Sequence, residues 1–170
     1  MVMQFMRSLF FLFLFLTFSC AKSQESVRFS EKALAEKMIS LEGKEVAFSE
    51  ILERYKGKKI VLEVWASWCA DCIQGMSKIK EFQKSSDDAI IYLFLSLDRD
   101  IGSWKRGIEK YQVEGVHYFM PSGWKGDFNT SIELDWIPRY MVVDKKSEIV
   151  LWKAKKATNE ELAKAIKFKN

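Results

Sequence analysis

The segment VLEVWASWCADC, Val61 to Cys72, is the feature that most constrains the fold of this chain. An apolar run, KIVLEVWA, predicts a buried strand that ends just before two cysteines spaced as C-x-x-C. The residues that follow have apolar side chains at helical spacing, namely Ile73, Met76, Ile79 and Phe82. The sequence therefore predicts a strand, a turn that carries two thiols, and a helix.

The rest of the chain continues this alternation of strands and helices. Residues 89–97, AIIYLFLSL, are apolar without alternation, which suits an interior strand covered on both faces. Helices are expected at Trp104 to Tyr111, at Asp127 to Leu134, and at the C-terminus, where Thr158 and Glu161 form a capping box. VHYFM, RYMVVD and EIVLW predict further strands, the last two as an antiparallel pair. The expected fold class is α/β, with a central mixed β-sheet flanked by helices.

An N-terminal extension of helices and a hairpin is expected before this main fold. Ser30 is a suitable N-cap for a helix through EKALAEKMI, which includes Met38. The segment LEGKEVAF predicts a small hairpin that turns at Gly43. Ser49 is the expected N-cap of a second short helix that ends near Gly57.

The first 19 residues have the form of a secretory signal. They carry a single charge and a ten-residue apolar run, which is too short to span a bilayer. The sequence LTFSC resembles the lipobox of bacterial prolipoproteins, so Cys20 is the expected lipidation site; an ordinary cleaved signal with a chance cysteine is the alternative. We predict a signal peptide over 1–19, a tether and helix over 20–40, and the main domain over 41–170. The protein is expected to be lipid-anchored at the cell envelope, facing the periplasm or another extracytoplasmic space.

Three roles are open to a C-x-x-C pair: half of a zinc site, a structural disulfide, or a redox dithiol. Structural zinc takes four ligands, and the chain offers only this thiol pair and one distant histidine, His117. A disulfide that closes so small a loop removes little chain entropy and stabilises little. Redox chemistry is therefore favoured, with no metal and no cofactor expected.

The position of the pair at a helix N-terminus predicts the order in which the thiols react. Unpaired N–H groups and the positive end of the helix dipole favour a thiolate at Cys69, which is expected to attack client disulfides. Cys72 lies one turn into the helix, and we expect it to be less exposed and to resolve the mixed disulfide. Asp71 places a negative charge beside the thiolate, which disfavours that thiolate and predicts a more reducing site.

Two segments together resemble the thioredoxin superfamily. VLEVWASWCADC is similar to its active-site segment, and WIPRYMVVD is similar to its cis-proline loop and the strand that follows. The signal sequence and the N-terminal extension point to the TlpA/ResA-like branch of exported thiol-disulfide oxidoreductases. The segment between Cys72 and Pro138 is longer than in plain thioredoxin, which implies a central insert with an additional strand and helix.

The resemblance implies roles for individual residues. Glu63 occupies the place of a buried aspartate that relays a proton to and from the resolving cysteine; an ion pair with a lysine at the sheet edge is the alternative. Pro138 is the expected cis proline facing Cys69, and the backbone of Ile137 is expected to pair with the client chain. Trp68 would flank the thiols as an apolar platform, or simply pack.

Some residues depart from the family pattern. Arg139 stands where many relatives have threonine, and it either favours acidic clients beside the substrate loop or is an ordinary surface arginine. Gly75 lies where relatives of this branch often have glutamate. His117 and the tryptophans Trp104, Trp124 and Trp136 are assigned to packing, with a client groove as the less favoured alternative for any of them.

The sequence thus predicts a reductase for disulfides of exported clients, with cytochrome c maturation as the client class that the family suggests. Its electrons would come from a membrane-embedded reductase, because cytosolic reductants do not reach the compartment. The net charge of +4 is too weak to indicate nucleic acid as a partner. A disulfide oxidase or isomerase is the first alternative, and a copper(I)-binding chaperone, which requires His117 beside Cys69 and Cys72, is the second.

Overall fold

The computed structural model of the chain describes residues 28–85 and 90–167. The predicted signal peptide, the predicted lipidation site at Cys20 and the tether up to residue 27 lie outside the described residues. Within the described ranges, none of the helices is long and apolar enough to cross a membrane.

Helices and strands alternate along the described ranges much as the sequence predicts. The helices are α1 Glu31–Ala35, α2 Phe48–Arg54, α3 Ala70–Ser85, α4 Ile101–Tyr111, α5 Asp127–Ser131 and α6 Glu160–Lys167. The strands are β1 Lys37–Ser40, β2 Glu45–Ala47, β3 Lys59–Trp65, β4 Ile90–Ser96, β5 Val116–Phe119, β6 Arg139–Val143 and β7 Ile149–Ala154. A short 3₁₀ helix, Gly123–Lys125, precedes α5.

The strands form one mixed sheet in the order β2-β1-β5-β4-β3-β6-β7. β3 runs parallel to β4 on one side and antiparallel to β6 on the other, and every residue of β3 is buried. A central strand covered on both faces explains the apolar run that precedes the cysteines. The predicted α/β fold with a mixed sheet and the hairpin of β6 and β7 are confirmed, and one further strand (β5) and two helices (α4 and α5) lie between β4 and β6.

The N-terminal extension packs onto the same core as the main fold. Phe29, Phe48 and Phe128 form an aromatic cluster that joins the chain ahead of α1 to α2 and α5, with ring centroids 4.7 to 5.7 Å apart. β1 pairs with β5 and extends the sheet from Lys37, N-terminal to the expected start of the main domain at residue 41.

The predicted helix through EKALAEKMI is wrong in its second half. α1 ends at Ala35, and Met38 lies in β1, where it is buried and pairs with Val46 of β2. β1 is paired with β2 on one side and with β5 on the other, and this pairing overrides the helical pattern of its sequence.

Two predicted helix caps are also wrong by one or two positions. The N-cap of α2 is Ala47 rather than Ser49, and the carboxylate of Glu50 accepts a hydrogen bond from the Ala47 amide at 3.3 Å. Before α6 the side chain of Asn159, rather than Thr158, accepts from the Leu162 amide at 3.0 Å. Asparagine and threonine are both good N-caps, so the sequence alone did not separate neighbouring candidates.

Candidate active site

The two cysteines lie at the N-terminal end of α3, directly after the central strand. They form a disulfide with an S–S distance of 2.10 Å, and the carbonyl of Cys69 accepts the first helical hydrogen bond, from Ile73 at 3.1 Å. Cys69 is 6% exposed and Cys72 is fully buried. Both cysteines are thus buried, and the difference between them has the direction required for Cys69 to meet a client first.

Local electrostatics favour a negative charge on Cys69. The backbone amide of Cys72 points at the Cys69 Sγ atom over 3.1 Å, and the amides of the first turn of α3 have no partners within the helix. On reduction, the same amide and the helix dipole stabilise a thiolate at Cys69. This geometry supports the predicted division between an attacking Cys69 and a resolving Cys72.

The loop before β6 lies against the attacking sulfur. The peptide bond between Ile137 and Pro138 is cis, as the resemblance implies. The carbonyl oxygen of Ile137 is 3.6 Å from the Cys69 Sγ atom. The main chain of Ile137 is thus next to the position that a client sulfur would occupy, and its pairing with a client stays a prediction.

Glu63 is buried in the middle of the sheet rather than paired at its edge. It is 2% exposed, and its neighbours across the strands are Phe94 of β4 and Tyr140 of β6. The Tyr140 hydroxyl donates a hydrogen bond to Glu63 Oε1 at 3.1 Å, whereas Oε2 has no hydrogen-bond partner among the described residues. The alternative of an ion pair with a lysine at the sheet edge is therefore wrong.

Burial controls the protonation of this carboxyl group. It raises the pKa of Glu63 from 4.5 to about 8, although the hydrogen bond from Tyr140 acts in the opposite direction. Burial and the nearby Glu63 carboxylate likewise raise the pKa of the Tyr140 phenol, which keeps its proton. A carboxyl group that titrates near pH 8 can both release and accept a proton close to neutrality, as the predicted relay requires.

Sequence reasoning gave Tyr140 no place in this site and noted Gly75 only as a departure from the family pattern. A Cβ atom on Gly75 of α3 would lie 2.7 Å from the Tyr140 hydroxyl oxygen and 3.3 Å from the Ala157 Cβ atom. Glycine thus leaves the space that the Tyr140 hydroxyl occupies between α3 and Glu63. The available signal was a glycine inside an amphipathic helix. Glycine destabilises a helix interior, so its presence there indicates that a neighbouring group packs too closely for a Cβ atom.

Arg139 does not face a client, which corrects both predictions for this residue. Its side chain is fully buried, and its guanidinium donates to the carbonyls of Ile132 at 2.8 Å and Glu133 at 3.3 Å and to the carboxylate of Asp135. Lys155, which also bonds Asp135, and the neighbouring cations hold the pKa of Asp135 at about 2. These hydrogen bonds, together with the charge of Asp135, compensate for burying the guanidinium. The predicted substrate-binding role of Arg139 has no support.

Three exposed tryptophans surround Cys69. Trp68, Trp124 and Trp136 line a groove together with the active-site residues Cys69, Ala70, Asp71 and Ile137. Packing is confirmed for Trp104, which is fully buried, but it is wrong for Trp124 and Trp136. The sequence did not reveal this groove, because its walls come from three segments that are far apart in the chain: the turn before α3, the 3₁₀ helix and the cis-proline loop.

His117 is also a packing residue, as predicted. It is buried on β5, its Nε2 atom lies 2.9 Å from the Val113 carbonyl oxygen, and its ring stacks on Phe94 at 5.1 Å. Burial lowers its pKa. β4 separates β5 from the strand that leads to the cysteines, and the described ranges contain no group of three or more histidine, cysteine or acidic side chains placed to hold a metal ion. The copper(I) alternative therefore lacks the ligand set on which it depended.

A buried carboxylate fixes the turn that presents Trp68 and Cys69. Asp98, 4% exposed, accepts hydrogen bonds from the Ser67 amide at 3.1 Å, from the Ser67 hydroxyl at 2.6 Å, and from the Ser96 hydroxyl at 2.8 Å. Gly107 of α4 permits close packing on this turn, since a Cβ atom there would lie 2.4 Å from the Ser67 Cβ atom. Sequence reasoning missed this support as well.

Comparisons with solved structures give the same fold. The thioredoxin domain of a thiol-disulfide oxidoreductase from Bacteroides vulgatus is 22% identical, with a TM-score of 0.64 over 81% of this chain and 94% of that one. A thiol-disulfide oxidoreductase from Bacteroides fragilis is 19% identical, with a TM-score of 0.64 over 79% and 98%. A secreted disulfide oxidoreductase from Mycobacterium tuberculosis is 14% identical, with a TM-score of 0.59 over 79% and 98%.

Sequence comparison assigns the family. A protein from Haemophilus influenzae is 30% identical over 66 residues, which is 34% of this chain and 42% of that protein, so the chain spans less than half of that relative. The Redoxin family model matches residues 25–166, which is most of the chain and includes both cysteines and Pro138. These matches confirm the predicted superfamily and fold, and the chain belongs to the Redoxin family of thioredoxin-like proteins.

Proposed function

We propose that the chain is a protein-disulfide reductase that cycles between a Cys69/Cys72 dithiol and the disulfide. The observation that carries this proposal is the position of the Cys69 sulfur, which lies at the N-terminus of α3, 3.1 Å from the Cys72 amide and 3.6 Å from the Ile137 carbonyl. At this position the thiolate of Cys69 is stabilised, and the main chain of Ile137 lies close enough to pair with an extended client segment.

The reaction consists of two thiol-disulfide exchanges. The Cys69 thiolate attacks one sulfur of a client disulfide, which forms a mixed disulfide and releases the other client sulfur as a thiolate. Cys72 then loses its proton toward the Glu63 carboxylate and attacks the Cys69 sulfur, which releases the second client thiolate. The client gains two electrons, the protein pair loses two, and protons from solvent and from Glu63 restore the client thiols.

The proposal extends to a location outside the cytoplasm. It is supported by the signal-like residues 1–19, by the lipobox-like cysteine Cys20, and by the secreted M. tuberculosis protein of the same fold. In that location a membrane-embedded reductase supplies the electrons. The clients are exported proteins with disulfides, among them cytochromes c whose haem-site cysteines must be reduced. Membrane fractionation of wild type and Cys20→Ala tests the anchor, since only the wild type is expected to partition with membranes.

The equilibrium potential of the cysteine pair tests the direction of electron flow. The full-length chain is equilibrated with glutathione or dithiothreitol buffers, and the dithiol fraction is measured by thiol alkylation. A reductase is expected near or below about −270 mV, whereas a value near about −120 mV would reverse the assignment to disulfide donation.

Trapping tests the order of the two cysteines. Cys72→Ser is expected to accumulate a mixed disulfide with a client peptide, because it attacks but does not resolve. Cys69→Ser, which leaves only the fully buried Cys72 of the pair, is the matched control and is expected to trap nothing. Equal trapping by both variants would contradict the division of roles.

A further inference from the structure

The groove beside Cys69 contains all the exposed tryptophans of the chain. Of six tryptophans, Trp68, Trp124 and Trp136 are 53%, 44% and 54% exposed, and all three line this groove. The other three, Trp65, Trp104 and Trp152, are buried or half-buried. Large aromatic surfaces left in solvent at one place mark a binding surface rather than incomplete packing.

The charge of the groove is set by one residue. Among the described residues that line it, Asp71 is the only one with a charged side chain, and it lies beside Cys69 at the start of α3. Arg139, the nearby cation expected from the sequence, does not line the groove; it is buried and donates to Asp135 and to two backbone carbonyls. Asp135, next to Trp136, is in turn paired with Lys155 at 2.6 Å. The lining of the groove therefore carries one carboxylate among aromatic faces.

We infer that this groove selects client segments that carry an arginine or lysine beside the reacting cysteine. Indole faces attract a cationic side chain through their negative π surface, and a carboxylate at the same wall reinforces that preference. The groove volume of about 340 Å³ accommodates the one or two side chains that flank a client cysteine. The inference rests on the proposed function, and it reverses the preference for acidic clients that Arg139 suggested.

The test compares disulfide-linked peptide dimers that differ only in the residue next to cysteine: arginine, leucine or glutamate. The reduced full-length chain is mixed with each dimer, and oxidation of Cys69/Cys72 is followed by rapid acid quench and thiol alkylation. Each rate constant is divided by that of the same dimer with dithiothreitol, which removes the intrinsic reactivity of the peptide. The normalised rate is expected to be about tenfold higher for the arginine dimer than for the glutamate dimer.

Two variants locate the preference in the groove. Asp71→Asn is expected to lower the arginine-to-glutamate ratio at least about threefold, whereas Glu81→Gln, the same change of charge on an exposed residue further along α3, leaves it unchanged. The ratio is informative because any change of redox potential affects all dimers alike. Trp124→Leu keeps an apolar wall and is expected to slow the arginine dimer but not the leucine dimer.

The outcomes separate this inference from the proposed function. If all dimers are reduced at equal normalised rates, if leucine is preferred, or if Asp71→Asn leaves the ratio unchanged, the cationic selection is wrong while the reductase assignment stands. If no dimer is reduced by the wild type, the proposed function itself fails.

Discussion

Tyr140 and Glu63 lie directly opposite each other on the antiparallel strands β6 and β3, and the Tyr140 hydroxyl donates a hydrogen bond to Glu63 Oε1 at 3.1 Å. Both side chains are buried. A buried carboxyl group is costly to ionise, and the hydrogen bond from Tyr140 offsets only part of that cost, which is why the pKa of Glu63 rises to about 8. Protonation of the Glu63 carboxyl group therefore affects both the proposed proton transfer at the cysteines and the free energy of unfolding.

Replacement of Glu63 by glutamine is expected to remove a pH dependence of stability. The pKa of Glu63 is about 8 in the folded chain and 4.5 when unperturbed, so between these values the folded state retains a proton that the unfolded state has lost. Stability is therefore complete below the lower value and falls as the pH rises toward the upper one, by up to about 1.4 kcal/mol per pH unit. Glu63→Gln has no such slope and is expected to be more stable than wild type at alkaline pH.

Urea unfolding of the oxidised protein between pH 4 and pH 9 measures this slope. Glu81→Gln, an exposed carboxylate paired only with Lys78 on the same helix, is the control and is expected to follow the wild type. If Glu63→Gln and wild type show parallel curves over the whole range, the raised pKa of Glu63 is contradicted.

Replacement of Tyr140 by phenylalanine is expected to raise the pKa of Glu63 further. The hydrogen bond from Tyr140 opposes the effect of burial, so its loss leaves the carboxylate form less stabilised. A shift of up to about one unit corresponds to the loss of one buried hydrogen bond. Carbon-13 NMR of the Glu63 carboxyl group during a pH titration gives the value directly. Tyr118→Phe, which removes a hydroxyl on β5 that accepts a hydrogen bond from Arg54 of α2, is expected to leave the pKa of Glu63 unchanged.

Replacement of Gly75 by alanine is expected to destabilise the protein by about 1–3 kcal/mol, because the new methyl group would meet the Tyr140 hydroxyl at 2.7 Å. The double variant Gly75→Ala/Tyr140→Phe removes the atom that clashes and is expected to recover part of that loss. Urea unfolding of the four proteins gives the coupling energy. Strictly additive effects would mean that Gly75 does not make room for the Tyr140 hydroxyl.

Replacement of Asp71 by asparagine is expected to raise the redox potential of the cysteine pair. Asp71 is exposed beside Cys69, so its charge disfavours the thiolate only through a partly solvated path. A rise of up to about 20 mV is expected, measured against a glutathione buffer with Glu81→Gln as the control. An unchanged or lower potential would contradict the role of Asp71.

Replacement of Arg139 by methionine is expected to act on stability and not on client choice. The change leaves the buried carbonyl of Ile132 and the partly buried carbonyl of Glu133 without this donor and should cost about 2–4 kcal/mol of unfolding free energy. Arg139→Lys, which keeps the charge but not the planar fork, should recover part of it. If the folded Arg139→Met variant reduced the glutamate-flanked dimer at a lower normalised rate than wild type does, Arg139 would be a client-binding residue after all.

Local patterns were sufficient to predict much of the fold and the centre of the site. The buried strand, the C-x-x-C turn, the helix after it and the hairpin of β6 and β7 were all predictable, because each depends on the spacing of residues close in the chain. Glu63 was recognisable for the same reason, since an acid within an apolar strand is conspicuous in sequence. The ends of short elements were less predictable: Met38 lies in a strand because β1 is paired with β2 on one side and with β5 on the other.

Tertiary structure decided how distant residues meet at the cysteines. The direction of the Arg139 side chain, the contact of Tyr140 with Glu63 through the space at Gly75, and the groove of Trp68, Trp124 and Trp136 depend on strand register and on loops that converge from separate parts of the chain. Sequence spacing carries no information on such convergence. The sequence by itself therefore determined the dithiol and its fold, whereas the proton affinity of Glu63 and the surface offered to a client arise only from burial and packing, which are properties of the folded chain.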